Sequence, residues 1–214
     1  EYETMRRARS LPGKNLRGHE YRPMASRLAP AQDGSFCDEE DKISMKKSKK
    51  QNEVRHGKHL ASAGPEDVWG WGSPAGRLRA ARRAEMILFS AGLGPGSAAL
   101  EIGCGTGLFT AYFSRSGANL VAVDISPDLI ARAMGRGLSP GQVRFLEGAF
   151  EDASLEGPFD AVIGSSILHH LDIRPALGKI FDLLKPGGRL SFAEPNMLNP
   201  QIMVQKNIPW IKAK

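Results

Sequence analysis

The chain has 214 residues, 41% of them hydrophobic, enough for one core-forming domain with an appendage. Its two cysteines, Cys37 and Cys104, exclude a disulfide framework and a cysteine metal cluster, so no metal site is expected. The net charge of +6 is uneven: residues 1–64 hold 14 Lys+Arg against 9 Asp+Glu, residues 65–214 hold 15 against 14, and so neutral a body argues against a general nucleic-acid binder.

Residues 1–64 mix Arg, Lys, Ser, Gly and Pro with no sustained hydrophobic period, and include Lys46-Lys47-Ser48-Lys49-Lys50 after an acidic run. They are expected to form a basic tail without regular structure, too poor in apolar residues to build part of a pocket. No apolar run approaches the roughly 18 residues of a membrane span, and none resembles a signal-peptide core, so a cytoplasmic location is expected.

Order is expected to begin near Trp69, with Trp69-Gly70-Trp71 acting either as a lid or as an anchor for the entry segment. From Pro74, the residues Ala80, Ala84, Ile87, Leu88 and Ala91 fall on one helical face and leave Arg79, Arg82 and Arg83 on a solvated one. The helix is expected to end in Gly92-Leu93-Gly94-Pro95-Gly96. Strands follow at 98–102, 120–123, 143–146, 160–163 and 189–193, separated by helices at 108–116, from Pro127 and at 176–184, with a last helix at 201–207. Strands alternating with helices predict an α/β fold: a three-layer, open, mostly parallel sheet.

The first predicted strand runs into Glu101-Ile102-Gly103-Cys104-Gly105-Thr106-Gly107. Glycines at a strand's carboxyl end let backbone approach a ligand closely. A dinucleotide fingerprint from Gly103 would need glycine at 108, where Leu108 stands, so an adenosine cofactor without pyrophosphate is favoured. Asp124 closes the second strand, where a carboxylate can accept from both ribose hydroxyls or cap the following helix.

Ala99-Leu100-Glu101-Ile102-Gly103-Cys104-Gly105-Thr106-Gly107 resembles the signature loop of class I S-adenosylmethionine-dependent methyltransferases, in particular the small-molecule group, and the resemblance extends over about residues 66–212. It implies S-adenosyl-L-methionine as cofactor, held by Glu101, Gly103, Cys104, Gly105, Gly107, Asp124, Ile125, Ala149, Phe150 and Ser165. After the third strand the family usually places Gly-Asp-Ala, but here Gly148-Ala149-Phe150 lacks that acid, and adenine is expected against Ala149 and Phe150. The segment 159–171 resembles the family's fourth strand and the wall after it, where His169 and His170 are weak candidates for a proton acceptor. Base-amine, pyrimidine-carbon and arginine methylation are argued down by the absence of their motifs, which leaves an unidentified small-molecule acceptor. The alternative is an inactive cofactor-binding or interaction module of the same fold. The family's sheet implies two further strands beyond the five, so a fragment, or a partner or second copy covering the fifth strand's edge, is expected.

Overall fold

The computed structural model describes residues 39–196; the helix expected at 201–207 lies outside them. Three helices come first: α1 (Glu39–Ala63), α2 (Pro65–Val68) and α3 (Pro74–Ala91). The first is a correction, because residues 39–63 are helical where a tail without regular structure was expected; residues 1–38 lie outside the described part. The stretch is rich in Lys and Glu, both good helix formers, but its inward stripe is largely polar and escapes a search for apolar periodicity. Gly57 and Leu60 are its buried points.

α3 has the capping chemistry its sequence predicts. Ser73 Oγ accepts from the Gly76 amide, Pro74 opens the first turn, and Gly92 closes the helix in a left-handed conformation. Its buried residues include Ala80, Ala84, Ile87 and Ala91, the expected face.

Five strands follow, β1 (Ala98–Ile102), β2 (Asn119–Asp124), β3 (Val143–Glu147), β4 (Phe159–Ser165) and β5 (Leu184–Ala193), with α4 (Leu108–Phe113), α5 (Pro127–Met134) and α6 (Ile173–Leu183) between them. All pair in parallel, in the order β3-β2-β1-β4-β5. Lys185-Pro186-Gly187-Gly188, ahead of the strand expected at 189–193, lies inside β5 as a bulge, since Leu184 pairs with Phe159 but Arg189 pairs with Ala161.

Strand alternation supplies a core on each face. Ala99, Leu120, Val143, Ala161 and Ile163 pack with Ile87, Ala91 and Phe113, while Leu100, Ile102, Val123 and Val162 pack with Ala176, Ile180 and Leu183. Strand order reverses at β1, whose successor β2 lies on one side and β4 on the other. That places a crevice at the carboxyl ends of β1, β2 and β4.

Candidate functional site

The loop leaving β1 has Gly103, Gly105 and Gly107 at positive φ, +70°, +54° and +72°, where other residues would be strained. The Gly103 and Cys104 amides donate to the Val123 carbonyl at 2.8 and 3.1 Å, the Gly107 amide to the Cys104 carbonyl at 2.9 Å, and the Gly105 amide to Asp124 Oδ2 at 2.8 Å. These four amides are therefore already satisfied within the protein. The loop offers a ligand bare Cα atoms and carbonyl oxygen, which suits an ammonium better than the pyrophosphate of a dinucleotide.

Asp124 lines the cavity above this loop. Its Oδ1 accepts from the Ser126 amide at 2.9 Å, but the cap of α5 is Ser126 itself, whose hydroxyl accepts from Leu129. Burial raises the Asp124 pKa above the ordinary carboxylate value, the Ser126 and Gly105 amides oppose this, Glu53 adds to it and His170 opposes it. Two backbone bonds leave lone pairs on both oxygens free to accept from ligand hydroxyls.

Glu101 takes a different place from the one expected. Its side chain is 1% exposed and does not line the cavity, and Oε2 is sealed without a hydrogen-bond partner. Burial pushes its carboxyl up to about 8, against the pull of the Thr110 hydroxyl and with the added push of Asp124. Gly107 also lies outside the lining. Its importance is a close approach, since a Cβ there would meet Ala133 Cβ at 2.9 Å. Cys104 lines the cavity, yet burial, then Glu101 and Asp124, hold its thiol well above the ordinary value, so it is an inert wall residue.

The cavity has a volume of about 550 Å³. Gly103, Gly105, Asp124, Ile125, Ala149, Phe150 and Ser165, all expected in the site, line it together. Lys179 steadies the loop after β3, donating to the Phe150, Glu151 and Ala153 carbonyls at 2.7, 3.2 and 2.7 Å. Of the two histidines only His170 lines the cavity. His169 Nδ1 is 2.8 Å from Glu194 Oε2, and the same carboxylate accepts from the Ile167 and Leu168 amides through Oε1, so His169 braces the segment after β4.

The remaining walls were not expected. From α1, Lys49, Lys50, Glu53, His56, Gly57 and Leu60 line the cavity, a stripe at helical spacing that overturns the view that residues 1–64 contribute nothing. From α2, Glu66 accepts from the Thr106 hydroxyl at 2.8 Å and pairs with Arg136, which also donates to the Thr106 carbonyl, so α2 is latched to the glycine loop. That latch sets Trp69 over the loop, its ring 3.5 Å from where a Cβ on Gly105 would lie. Trp71 meets Phe109 edge to face at 5.7 Å, with the Arg83 guanidinium 5.1 Å from its centroid. Arg83 is a second correction: far from solvated, it is half-buried and donates to Ser165 Oγ and Ser166 Oγ at 3.1 and 2.9 Å. Ser166 is also the sole non-glycine residue at positive φ, +58°, among the described residues.

An open parallel sheet with a carbonyl-rich glycine loop, a carboxylate after β2 and a ligand-sized chamber over its switch point defines a class I, Rossmann-like, adenosine-cofactor domain. Residues 100–192 match the family described as a methyltransferase domain. Nodulation protein S of Rhizobium tropici is 32% identical over 124 residues, 56% of this chain and 52% of that protein. Ubiquinone biosynthesis O-methyltransferase of Xylella fastidiosa (strain 9a5c) is 40% identical over 99 residues, 44% of this chain and 40% of that protein. The chain spans about half the length of the curated relatives it matches. N-methyltransferase NodS from Bradyrhizobium japonicum WM9, solved with S-adenosyl-l-homocysteine, superposes with a TM-score of 0.56 at 26% identity, covering 66% of this chain and 72% of that one. Over residues 100–192 the chain is thus similar to class I S-adenosylmethionine-dependent methyltransferases, and this likeness supports S-adenosylmethionine as the cofactor.

Proposed function

We propose that the protein transfers the methyl group of S-adenosylmethionine to a small-molecule acceptor. The observation that carries this reading is the chamber of about 550 Å³, in which the glycine loop, Asp124 and the Ala149–Phe150 wall share one space with Ser165, His170 and the aromatic walls. When bound, the cofactor supplies a methyl carbon made electrophilic by its sulfonium charge. Asp124 accepts from the ribose hydroxyls, Ala149 and Phe150 flank adenine, and the Trp69 and Trp71 rings face the sulfonium end, where a cation is favoured over an indole.

Arg83 lies behind the chamber wall and supplies positive charge toward the cofactor's carboxylate through Ser165 and Ser166, which line it. Burial lowers its pKa first, Glu194 opposes this and Arg79 adds to it, yet the guanidinium remains charged. Because the Ser165 and Ser166 hydroxyls accept from Arg83, their own hydrogens are left to donate to an anion in the chamber. Arg83→Ala is expected to weaken S-adenosylhomocysteine by about 1.5–3 kcal/mol, the range for a bond to a charged group.

The relatives' names point to oxygen in one case and nitrogen in another, so both classes of acceptor belong in a screen. No helix among the described residues is long and apolar enough to cross a membrane. The test is calorimetric titration with S-adenosylmethionine, S-adenosylhomocysteine and NAD, followed by a screen of phenols, catechols and amines scored by S-adenosylhomocysteine released. Binding of the sulfonium pair and turnover of at least one acceptor are expected. A protein that binds NAD alone would sink the reading.

A further inference from the structure

Two cavity-lining groups from distant parts of the sequence meet at its mouth. His170, just after β4, has Nδ1 3.1 Å from Oε1 of Glu53 on α1. A carboxylate can only accept, so Nδ1 carries the ring hydrogen in this contact and Nε2 is left as the basic nitrogen. We infer that α1 supplies Glu53 to orient His170 as the proton acceptor of the methyl transfer, and that the acceptor is therefore a hydroxyl or amine that loses a proton. The inference rests on the methyltransferase reading above.

The surroundings hold this pair in register. One turn N-terminal to Glu53, Lys49 donates to the His170 carbonyl and Lys50 to Asp152 Oδ2, both at 2.5 Å, so α1 is tied to the loops after β4 and β3 on either side of the mouth. His169, its ring 4.2 Å from that of His170, is committed to Glu194 and lies outside the cavity lining. The charged and titratable groups around His170 include Glu53 and Lys49 from α1, His169 and Asp172 from its own segment, and Asp124 from β2, whose carboxyl feels both His170 and Glu53. Lys49 and Lys50 already fasten the helix. What Glu53 adds is control of which ring nitrogen is protonated.

In the step, the acceptor's oxygen or nitrogen forms its bond to the methyl carbon as the carbon–sulfur bond breaks, the electron pair staying on sulfur. The acceptor's proton passes to His170 Nε2, and the imidazolium so formed lies against the Glu53 carboxylate. Glu53 is a positioning residue, and because it rides on α1, the proton acceptor is complete only when α1 is docked.

The test combines nitrogen-15 spectra of the histidine rings in the S-adenosylhomocysteine complex with calorimetry and turnover on phenols, catechols and primary amines. Wild type is expected to show His170 protonated at Nδ1 alone. Glu53→Ala should mix the tautomers and lower kcat at least tenfold, leaving KM and S-adenosylhomocysteine affinity within about threefold. Glu53→Gln, whose amide oxygen still accepts, should restore the tautomer and part of the lost kcat. His170→Ala should lower kcat by roughly 10²–10⁴, the range for general base catalysis. A bare Nδ1 in wild type, or unchanged spectra or kcat in Glu53→Ala, would overturn this inference alone, whereas a cofactor-binding wild type that turns over none of these acceptors would overturn the proposed transfer with it. A wild type that fails to bind S-adenosylhomocysteine would overturn the methyltransferase reading as well.

Discussion

At the scale of single residues, the sealed Glu101 and the cavity-lining Asp124 have different assignments. Asp124 keeps acceptor capacity toward the cavity, so Asp124→Ala is expected to weaken S-adenosylhomocysteine by about 2–3 kcal/mol, roughly 30- to 150-fold, without loss of fold. Calorimetry on a variant with a native circular dichroism spectrum decides this, and an unchanged dissociation constant would remove Asp124 from the site. Glu101 is sealed beneath the loop with its carboxyl raised to about 8, so the folded protein holds a proton there that the unfolded chain gives up near the ordinary carboxylate pKa. The stability this contributes is complete below that ordinary value and is lost as pH rises through about 8. Between pH 5 and 8 the loss amounts to at most about 4 kcal/mol, at about 1.4 kcal/mol per unit. Glu101→Gln should flatten that slope in urea unfolding, and an equal slope in both proteins would mean that Glu101 is ionised in the fold.

At the scale of elements, α1 matters most, because it walls the chamber with a largely polar stripe. Beside the tethers from Lys49, Lys50 and Glu53, it docks by a close approach at Gly57, where a Cβ would lie 2.3 Å from Ser126 Oγ and 2.6 Å from Ser126 Cβ, beside Asp124. Gly57→Ala therefore separates helix formation from docking. Alanine favours an isolated helix by about 1 kcal/mol, so a tail that touched nothing would gain helicity at no cost to the site. A docked α1 is instead pushed off Ser126, and S-adenosylhomocysteine affinity should fall about tenfold, close to 1.4 kcal/mol, with little change in the melting of the sheet. Unchanged affinity, or equal affinity after deletion of residues 1–64, would show that α1 takes no part in the site.

At the scale of the whole molecule, the chamber is assembled from α1, α2, the glycine loop and the ends of β2 and β4, so a ligand that fills it should raise the melting temperature of the body as a unit. At a concentration one hundred times its dissociation constant, S-adenosylhomocysteine should add about 2.7 kcal/mol, and NAD nothing. A shift with NAD and none with S-adenosylhomocysteine would contradict the loop argument made from Leu108 and from the satisfied amides. The sheet was legible in the sequence, because strands buried on both faces read as short apolar runs and Ser73, Ser126 and Gly92 mark helix ends by local chemistry. The cofactor loop and Asp124 were legible for the same reason, their spacing along the chain being short and fixed by strand ends. By itself, then, the sequence determined the α/β architecture, the cofactor class and the placing of the glycine loop and Asp124 at the strand ends beneath the chamber. Only the tertiary structure decided that α1 walls the chamber, that Arg83 turns inward to Ser165 and Ser166, that Glu101 is sealed, and that His170 rather than His169 faces the cavity. The Arg83 and His170 contacts join partners 82 to 117 residues apart, α1 docks through a polar stripe that finds its match only after folding, and no local period or cap records such pairings.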